Sequence, residues 1–289
     1  MSLRRRQNHW QPGQYFPEVA KELHELYTTL REHFGYAKQW WPGTSWETTL
    51  TALLVQQCNW TTAYQALGRL QKNGLLGLPE LSAAASEKVR HIIHPVSFAP
   101  TKALRLIGLA QSILDRRFSE IEPYLHSADT AALRHDLLSF PGIGEETADC
   151  ILLYAGDQHP CFIVDSYARR TFQRVRLFCF LDDRFWDRPY AFLRQFFQTH
   201  LLSSLSLYDD FSFDPGVSRE IALLRDFHAQ IVELGRHHCL KSRPRCQACG
   251  NSGRRDDLFY QNHCTENGCT GCPLVDLCAW HHKNQSAQK

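Results

Sequence analysis

The sequence predicts an all-α protein, and three observations lead to that fold class. Apolar residues recur at steps of three and four, as at Val19, Leu23 and Leu26, which is the period of an amphipathic helix. No segment alternates apolar and polar residues with the β-branched enrichment that strands show. Breaks rich in proline and glycine, such as residues 40–43 and 75–79, separate the helical segments.

The helical segments can be placed in order along the chain. The first begins at Tyr15, and Ser45 is predicted to cap the second. Further helices are predicted at about residues 61–72, 84–93, 101–115 and 128–138. Residues 1–14 are predicted to be a loose basic tail, and residues 181–215, rich in Asp and Phe, show no clear period.

The amino-acid composition is that of a globular protein and does not by itself indicate a binding partner. A hydrophobic fraction of 43% and a charged fraction of 21% are ordinary for a globular domain. The net charge is only +2, so nucleic-acid binding would require basic residues to cluster in space. There is no apolar run long enough for a membrane helix and no secretory signal, so a cytoplasmic location is expected.

The cysteines are concentrated near the end of the chain. Of 11 cysteines, seven lie in the segment Cys239–Cys278. In a reducing cytosol such a cluster favours a metal site over disulfide bonds.

A tight turn between two helices is the most informative segment. Residues 138–149 read Leu-Ser-Phe-Pro-Gly-Ile-Gly-Glu-Glu-Thr-Ala-Asp. Gly142 and Gly144 are predicted to adopt backbone angles closed to other residues, and the backbone N–H groups of the hairpin are suited to a DNA phosphate. The alternative is a helix connection with no ligand.

A single acid follows the next apolar run. Phe162, Ile163 and Val164 lead to Asp165, where another helix begins. Asp165 is either the N-cap of that helix or a carboxylate that faces DNA.

These segments resemble the endonuclease III superfamily of helix-hairpin-helix DNA glycosylases. Family members carry Leu-Pro-Gly-Val-Gly-Arg-Lys-Thr-Ala and then Val-Asp-Thr-His, where this chain has Phe-Pro-Gly-Ile-Gly-Glu-Glu-Thr-Ala and Val-Asp-Ser-Tyr. The resemblance covers roughly residues 16–280 and implies two helical domains with a DNA-binding cleft between them. It places a six-helix domain at 38–158 with the hairpin at 134–155, a second helical domain at 15–37 plus 159–238, a cysteine loop at 239–278 and a tail at 279–289.

The resemblance also implies roles for individual residues. Asp165 becomes the catalytic carboxylate, which would stabilise the positive charge that develops on the sugar. Bifunctional members have a lysine at the position of Glu146, and its amine forms a Schiff base with the sugar. A glutamate lacks that amine, so a monofunctional enzyme is expected. Gly142, Gly144 and Thr147 are assigned to DNA binding.

Further residues are assigned to the flipped base. Gln57 corresponds to the residue that fills the gap in the duplex, and a surface glutamine is the alternative. Trp40 and Trp41 resemble the base pocket of the 3-methyladenine glycosylases of this superfamily; the alternative is an ordinary core or hinge. His228 lies where relatives place residues near the site, with a buried structural histidine as the alternative.

The cysteines resemble an interrupted form of the family's iron–sulfur loop, C-x6-C-x2-C-x5-C. The outer spacings survive in Cys239–Cys246 and Cys272–Cys278, but 25 residues separate Cys246 from Cys272. A [4Fe–4S] cluster on these four thiolates is expected, and zinc is the competing cofactor. Cys249 and Cys269 satisfy the middle spacing as well, so the inner pair stays ambiguous, and the role of the inserted residues is open.

The function expected from all this is monofunctional excision of alkylated purines such as 3-methyladenine. The expected partner is double-stranded DNA with a damaged base, bound by a monomer and without a membrane. Alternatives are excision of mismatched adenine or thymine, a bifunctional glycosylase/lyase, and a non-catalytic protein that binds damaged DNA. The adenine-specific relatives have an extra C-terminal recognition domain, which is not expected in this protein.

Overall fold

The computed structural model describes residues 10–175, 181, 183–247 and 271–286. Within these ranges every regular element is a helix, apart from an isolated antiparallel bridge between Val175 and Cys278. The predicted all-α class is therefore confirmed. None of the helices in the described ranges is long and apolar enough to cross a membrane.

The helices follow one another with short connections. In order they are α1 (Pro17–Phe34), α2 (Ser45–Leu54), α3 (Trp60–Lys72), α4 (Leu78–Ser82), α5 (Ser86–Ile93), α6 (Ala99–Asp115), α7 (Ile121–Leu125), α8 (Thr130–Ser139), α9 (Glu145–Tyr154), α10 (Ser166–Arg174), α11 (Asp183–Trp186), α12 (Tyr190–Leu202), a 3-10 helix (Leu205–Tyr208), α13 (Arg219–His237) and α14 (Ala279–Ser286).

The chain divides into two compact units. Trp41–Cys161 form the first, here called the hairpin unit, and Met1–Trp40 with Phe162–Lys289 form the second, here called the split unit. The boundaries inferred from the resemblance, near residues 38 and 159, lie within a few residues of these limits. The hairpin unit has six helices of eight residues or more and two of five residues around one apolar core.

Capping side chains define where helices begin in the hairpin unit. The Thr44 hydroxyl accepts a hydrogen bond from Glu47 N at 3.2 Å, and Glu47 Oε2 accepts one from Thr44 N at 2.7 Å. This reciprocal pair is a capping box. Ser45 is therefore the first residue of α2, and the prediction that it caps the helix was wrong. Asn59 and Asp129 cap α3 and α8 through their side-chain oxygens.

The split unit is built around α13, which is buried along nearly its whole length. Its Asp226 carboxylate accepts hydrogen bonds from Tyr27 Oη and Arg31 Nη1, both at 2.5 Å, and from Ala37 N at 2.9 Å. A buried carboxylate is costly unless such donors surround it. These bonds tie α1 and the residues after it to α13.

Three segments of the split unit differ from the sequence prediction. Trp10, in the predicted loose tail, is buried and packs edge-on against Phe192 and Phe196 at 5.4 and 5.5 Å. Residues 181–215 contain α11, α12 and the 3-10 helix, and the aromatic residues spread among them obscure the helical period. The predicted tail at 279–289 begins with α14.

Candidate functional site

The hairpin joins α8 to α9 and depends on one glycine in a left-handed conformation. Gly142 has φ +89°, and a Cβ there would lie 2.3 Å from Cδ of Arg105. Gly144 has φ −92°, an ordinary value, and no atom lies within 4 Å of where its Cβ would be. The prediction that both glycines adopt backbone angles closed to other residues was therefore right for Gly142 and wrong for Gly144. At Gly144 the backbone is exposed and has no side chain over it.

Gln56 fastens the hairpin to the end of α2. Its Nε2 donates to Gly142 O at 2.9 Å and to Thr147 Oγ1 at 3.0 Å. Lys102 Nζ donates to Leu54 O at 2.7 Å and to Gln56 O at 2.6 Å. The Thr147 hydroxyl thus has a structural partner inside the unit. Lys102 is held as the cap of α2.

Two surface residues beside this network have left-handed backbone conformations. Gln57 is exposed with φ +51°, and Phe98 has φ +58° with 62% of its surface exposed. Phe98 O accepts the Lys102 backbone N–H at 2.9 Å, which links it to the same network. Residues other than glycine rarely adopt this backbone conformation, and those that do cluster at functional sites. Phe98 was not among the predicted site residues, although an aromatic residue directly before the Ala-Pro helix start was a usable signal.

Asp165 is the N-cap residue directly before α10 in the split unit and is anchored by one of its two oxygens. Oδ1 accepts the Ala168 N–H at 2.7 Å, as an N-cap does. Oδ2 faces His228 Nε2 at 3.8 Å, and the Asp165 side chain is 12% exposed. The capping alternative is thus correct for Oδ1, and its bond to Ala168 N fixes the orientation of the carboxylate.

Trp40 packs against His228 within the same unit. Its ring meets His228 edge-on at 5.9 Å, and its Nε1 donates to Glu233 Oε1 at 2.8 Å. Glu233 is fully buried and also accepts from Arg236 Nη1 at 2.9 Å, with His237 Nε2 3.1 Å from its other oxygen. Trp40 is partly exposed and has a fixed orientation, and its single polar hydrogen is already used.

Trp41 belongs to the other unit and has its own partners. Its Nε1 donates to Thr51 Oγ1 at 2.9 Å, and its ring contacts Trp60 at 4.9 Å and Tyr154 at 5.1 Å. The two adjacent tryptophans, predicted as one pocket, are therefore anchored in different units.

Four cysteines of the split unit interact electrostatically. Burial raises the pKa values of the Cys246, Cys272 and Cys278 thiols, and in each case the charge of Cys239 raises the pKa further. Cys272 N also donates to Cys246 O at 3.0 Å. Throughout the described ranges, no three His, Cys, Asp or Glu side chains surround a position for a single metal ion. Cys249, Cys264 and Cys269 lie outside the described residues.

Helix α10, which Asp165 caps, is attached near its C-terminal end to the cysteine segment that starts at Cys239. Arg170 Nε donates to Cys239 O at 2.7 Å, and Arg174 Nη1 donates to Cys239 Sγ at 3.4 Å and to Leu240 O at 2.7 Å. The Arg174 guanidinium also stacks on Trp280 at 4.8 Å. Displacing this segment would therefore disturb α10.

Comparison with known proteins places these features in a family. Residues 50–179 match the model of the HhH-GPD superfamily base excision DNA repair proteins. Over that segment the chain is similar to this superfamily of DNA glycosylases. The match includes the hairpin and Asp165, and the predicted resemblance to the endonuclease III-like glycosylases is confirmed.

Individual HhH-GPD relatives cover most of the chain. A putative DNA repair glycosylase of Methanocaldococcus jannaschii is 29% identical over 79% of this chain and 92% of its own length. The H. pylori 3-methyladenine DNA glycosylase MagIII, solved with 1,N6-ethenoadenine, superposes with a TM-score of 0.60 and 25% identity over 74% of this chain and 96% of its own. The protein in a non-covalent endonuclease III–DNA complex shares the fold, with a TM-score of 0.64 and 18% identity over 92% of this chain and 98% of its own.

Proposed function

We propose that this HhH-GPD protein is a monofunctional DNA glycosylase that hydrolyses the N-glycosidic bond of alkylated purines such as 3-methyladenine. The observation that carries the proposal is the anchored carboxylate of Asp165, whose Oδ1 is held by Ala168 N while Oδ2 remains at a partly exposed position. Cleavage of the bond builds positive charge on the sugar. A fixed carboxylate stabilises that charge without having to reorient during the reaction.

The environment of Trp40 supports a cationic base as substrate. Because Trp40 Nε1 donates to Glu233, the indole offers its ring face rather than a hydrogen-bond donor. Ring faces attract cations by roughly 0.5–2 kcal/mol, and 3-methyladenine and 7-methylguanine nucleosides are cations. The likeness to a 3-methyladenine DNA glycosylase points to the same substrate class. We assign Trp40 to the base pocket on these grounds.

Glu146 supports hydrolysis without strand cleavage. Its side chain is exposed on the first turn of α9 and is a carboxylate where bifunctional relatives have the Schiff-base lysine. Lys102 Nζ, next to the hairpin, already donates to two carbonyl oxygens of the α2 terminus. Water is therefore the proposed nucleophile.

The hairpin unit supplies the proposed DNA contacts. The bare backbone at Gly144 leaves the N-terminal N–H groups of α9 open to a phosphate, next to Gly142 and Thr147. Gln57 and Phe98 are assigned to the duplex around the flipped base, because both are exposed and left-handed.

The cysteines Cys239, Cys246, Cys272 and Cys278 fit a [4Fe–4S] cluster. They bring four thiols into one segment, with an arginine donating to one sulfur. In such a cluster each thiolate binds a different iron, so the sulfurs need not surround one ion as they do around zinc. When bound, the group would supply structural cross-linking of the segment that holds Arg170 and Arg174.

Base release from methylated duplex DNA tests the function. Wild-type protein is expected to release 3-methyladenine, whereas Asp165→Asn binds the same DNA without releasing it. Strand breaks should appear only after alkali, and borohydride should trap no covalent adduct. Release by Asp165→Asn at the wild-type rate would refute the catalytic role. If no lesion or mismatch is excised while damaged DNA is still bound, the protein is a binding protein.

A further inference from the structure

His228 is a buried histidine next to the carboxylate oxygen that capping leaves available. Its Nε2 is 3.8 Å from Asp165 Oδ2, and only 4% of its side chain is exposed. The contact joins α13 to the start of α10, far apart in sequence. Since Oδ1 is used by Ala168 N, His228 faces the reactive side of the carboxylate.

The distance between the two atoms suits a shared small ligand better than a direct bond. A separation of 3.8 Å exceeds the range of a hydrogen bond. A water about 2.8 Å from each atom would bridge them at normal lengths. The orientation of the imidazole is restricted by Trp40, whose ring meets it edge-on at 5.9 Å. Glu233 in turn holds Trp40 through a hydrogen bond from its Nε1.

We propose that His228 is a positioning residue that, with Asp165 Oδ2, holds the hydrolytic water. This inference rests on the proposed glycosylase function. The water oxygen forms a bond to C1′ of the deoxyribose as the C1′–N bond breaks, and the bonding pair leaves on the base. The water proton passes to Asp165 Oδ2. A cationic methylated purine leaves as a neutral base, so the step requires no acid to protonate it.

Two substitutions separate water positioning from packing against Trp40. His228→Phe keeps a ring but has no polar atom, whereas His228→Gln has an amide near the position of Nε2 that can donate or accept. Single-turnover release from methylated duplex DNA is expected to fall about 100-fold or more in His228→Phe and less than about 10-fold in His228→Gln. The Kd for the same DNA and the Tm should remain close to wild type in both.

A second readout reports on the nucleophile itself. In added methanol, His228→Phe should give a higher ratio of 1′-methoxy to 1′-hydroxyl product than wild type, because water has lost its fixed position. Wild-type rate in His228→Phe, or equal losses in both variants, would overturn the role of His228. Absence of base release by wild type would instead refute the proposed function, which is measured before any variant is compared.

Discussion

Gln56 Nε2 donates to the carbonyl oxygen of Gly142 at 2.9 Å and thereby ties the end of α2 to the turn between α8 and α9. The same nitrogen reaches Thr147 Oγ1 at 3.0 Å. Two segments distant in sequence are thus held together by one amide. The hairpin is therefore rigid before it meets DNA, which reduces the entropy lost on binding.

The two glycines of the hairpin should respond differently to alanine. Gly142→Ala forces a side chain into a left-handed backbone and against Arg105, so we expect a loss of about 1–3 kcal/mol in the free energy of unfolding. At Gly144 the backbone φ is ordinary and there is open space for a Cβ. Gly144→Ala should therefore change the free energy of unfolding by less than about 0.5 kcal/mol.

DNA affinity should separate the same pair. Gly144→Ala should weaken binding to damaged duplex about 10-fold, because a methyl group would stand between the backbone N–H groups and the phosphate. Urea unfolding and fluorescence anisotropy measure the two quantities. Wild-type affinity in Gly144→Ala would remove the hairpin backbone from the proposed interface.

Phe98 should contribute to excision without contributing to stability. It is 62% exposed, and Leu104 on α6 is exposed to the same extent, which makes Leu104→Ala a matched control. We expect Phe98→Ala to reduce single-turnover base release about 10-fold or more, because stacking on bases contributes about 1–3 kcal/mol per base. Leu104→Ala should behave as wild type in release and in Tm. Equal effects of the two substitutions would argue against a specific role for Phe98.

Arg174 should help retain the metal group. Its guanidinium donates to Cys239 Sγ and to the carbonyl of Leu240, and loss of such an outer contact typically costs about 10–100-fold in metal affinity. We expect Arg174→Ala, purified without oxygen, to have less iron and less absorbance at about 400 nm than wild type. Arg90→Ala, which removes a partly exposed arginine of the hairpin unit, is the control. A colourless wild-type protein with stoichiometric zinc would refute the cluster.

Glu22 should make stability fall as pH rises. Burial raises its pKa to about 8, with a further contribution from Glu25 and Glu18. Between its ordinary pKa of 4.5 and about 8, the unfolded chain is ionised while the folded one stays protonated. Raising the pH through this window therefore favours unfolding.

Glu22→Gln removes this penalty. The variant should gain about 1 kcal/mol over wild type at pH 8 and little at pH 4.5, a small value because Glu22 is partly exposed and screened by solvent. Glu32→Gln, exposed on the same helix α1, is the control. Thermal unfolding at the two pH values gives the comparison, and a gain that does not depend on pH would contradict the assignment.

The sequence predicted the features that depend on a few neighbouring residues. The helical period, the hairpin at Gly142 and the helix start at Asp165 all follow from local turn and capping chemistry. Errors arose where local signals competed. Ser45 and Thr44 are both good caps, and only Glu47, three residues after Thr44, decides between them. In residues 181–215 the many aromatic residues obscured the apolar period of α12, so that helix was not predicted.

Sequence alone therefore determined the all-α class, the hairpin and the candidate carboxylate, because each depends on interactions over a few residues. Only the tertiary structure decided what surrounds them. It showed that Oδ2 of Asp165 faces His228 and that Trp40 and Trp41 belong to different units. It also linked Arg174 to Cys239. These relationships depend on packing between distant segments, and that packing follows from how the whole core is filled rather than from any local pattern.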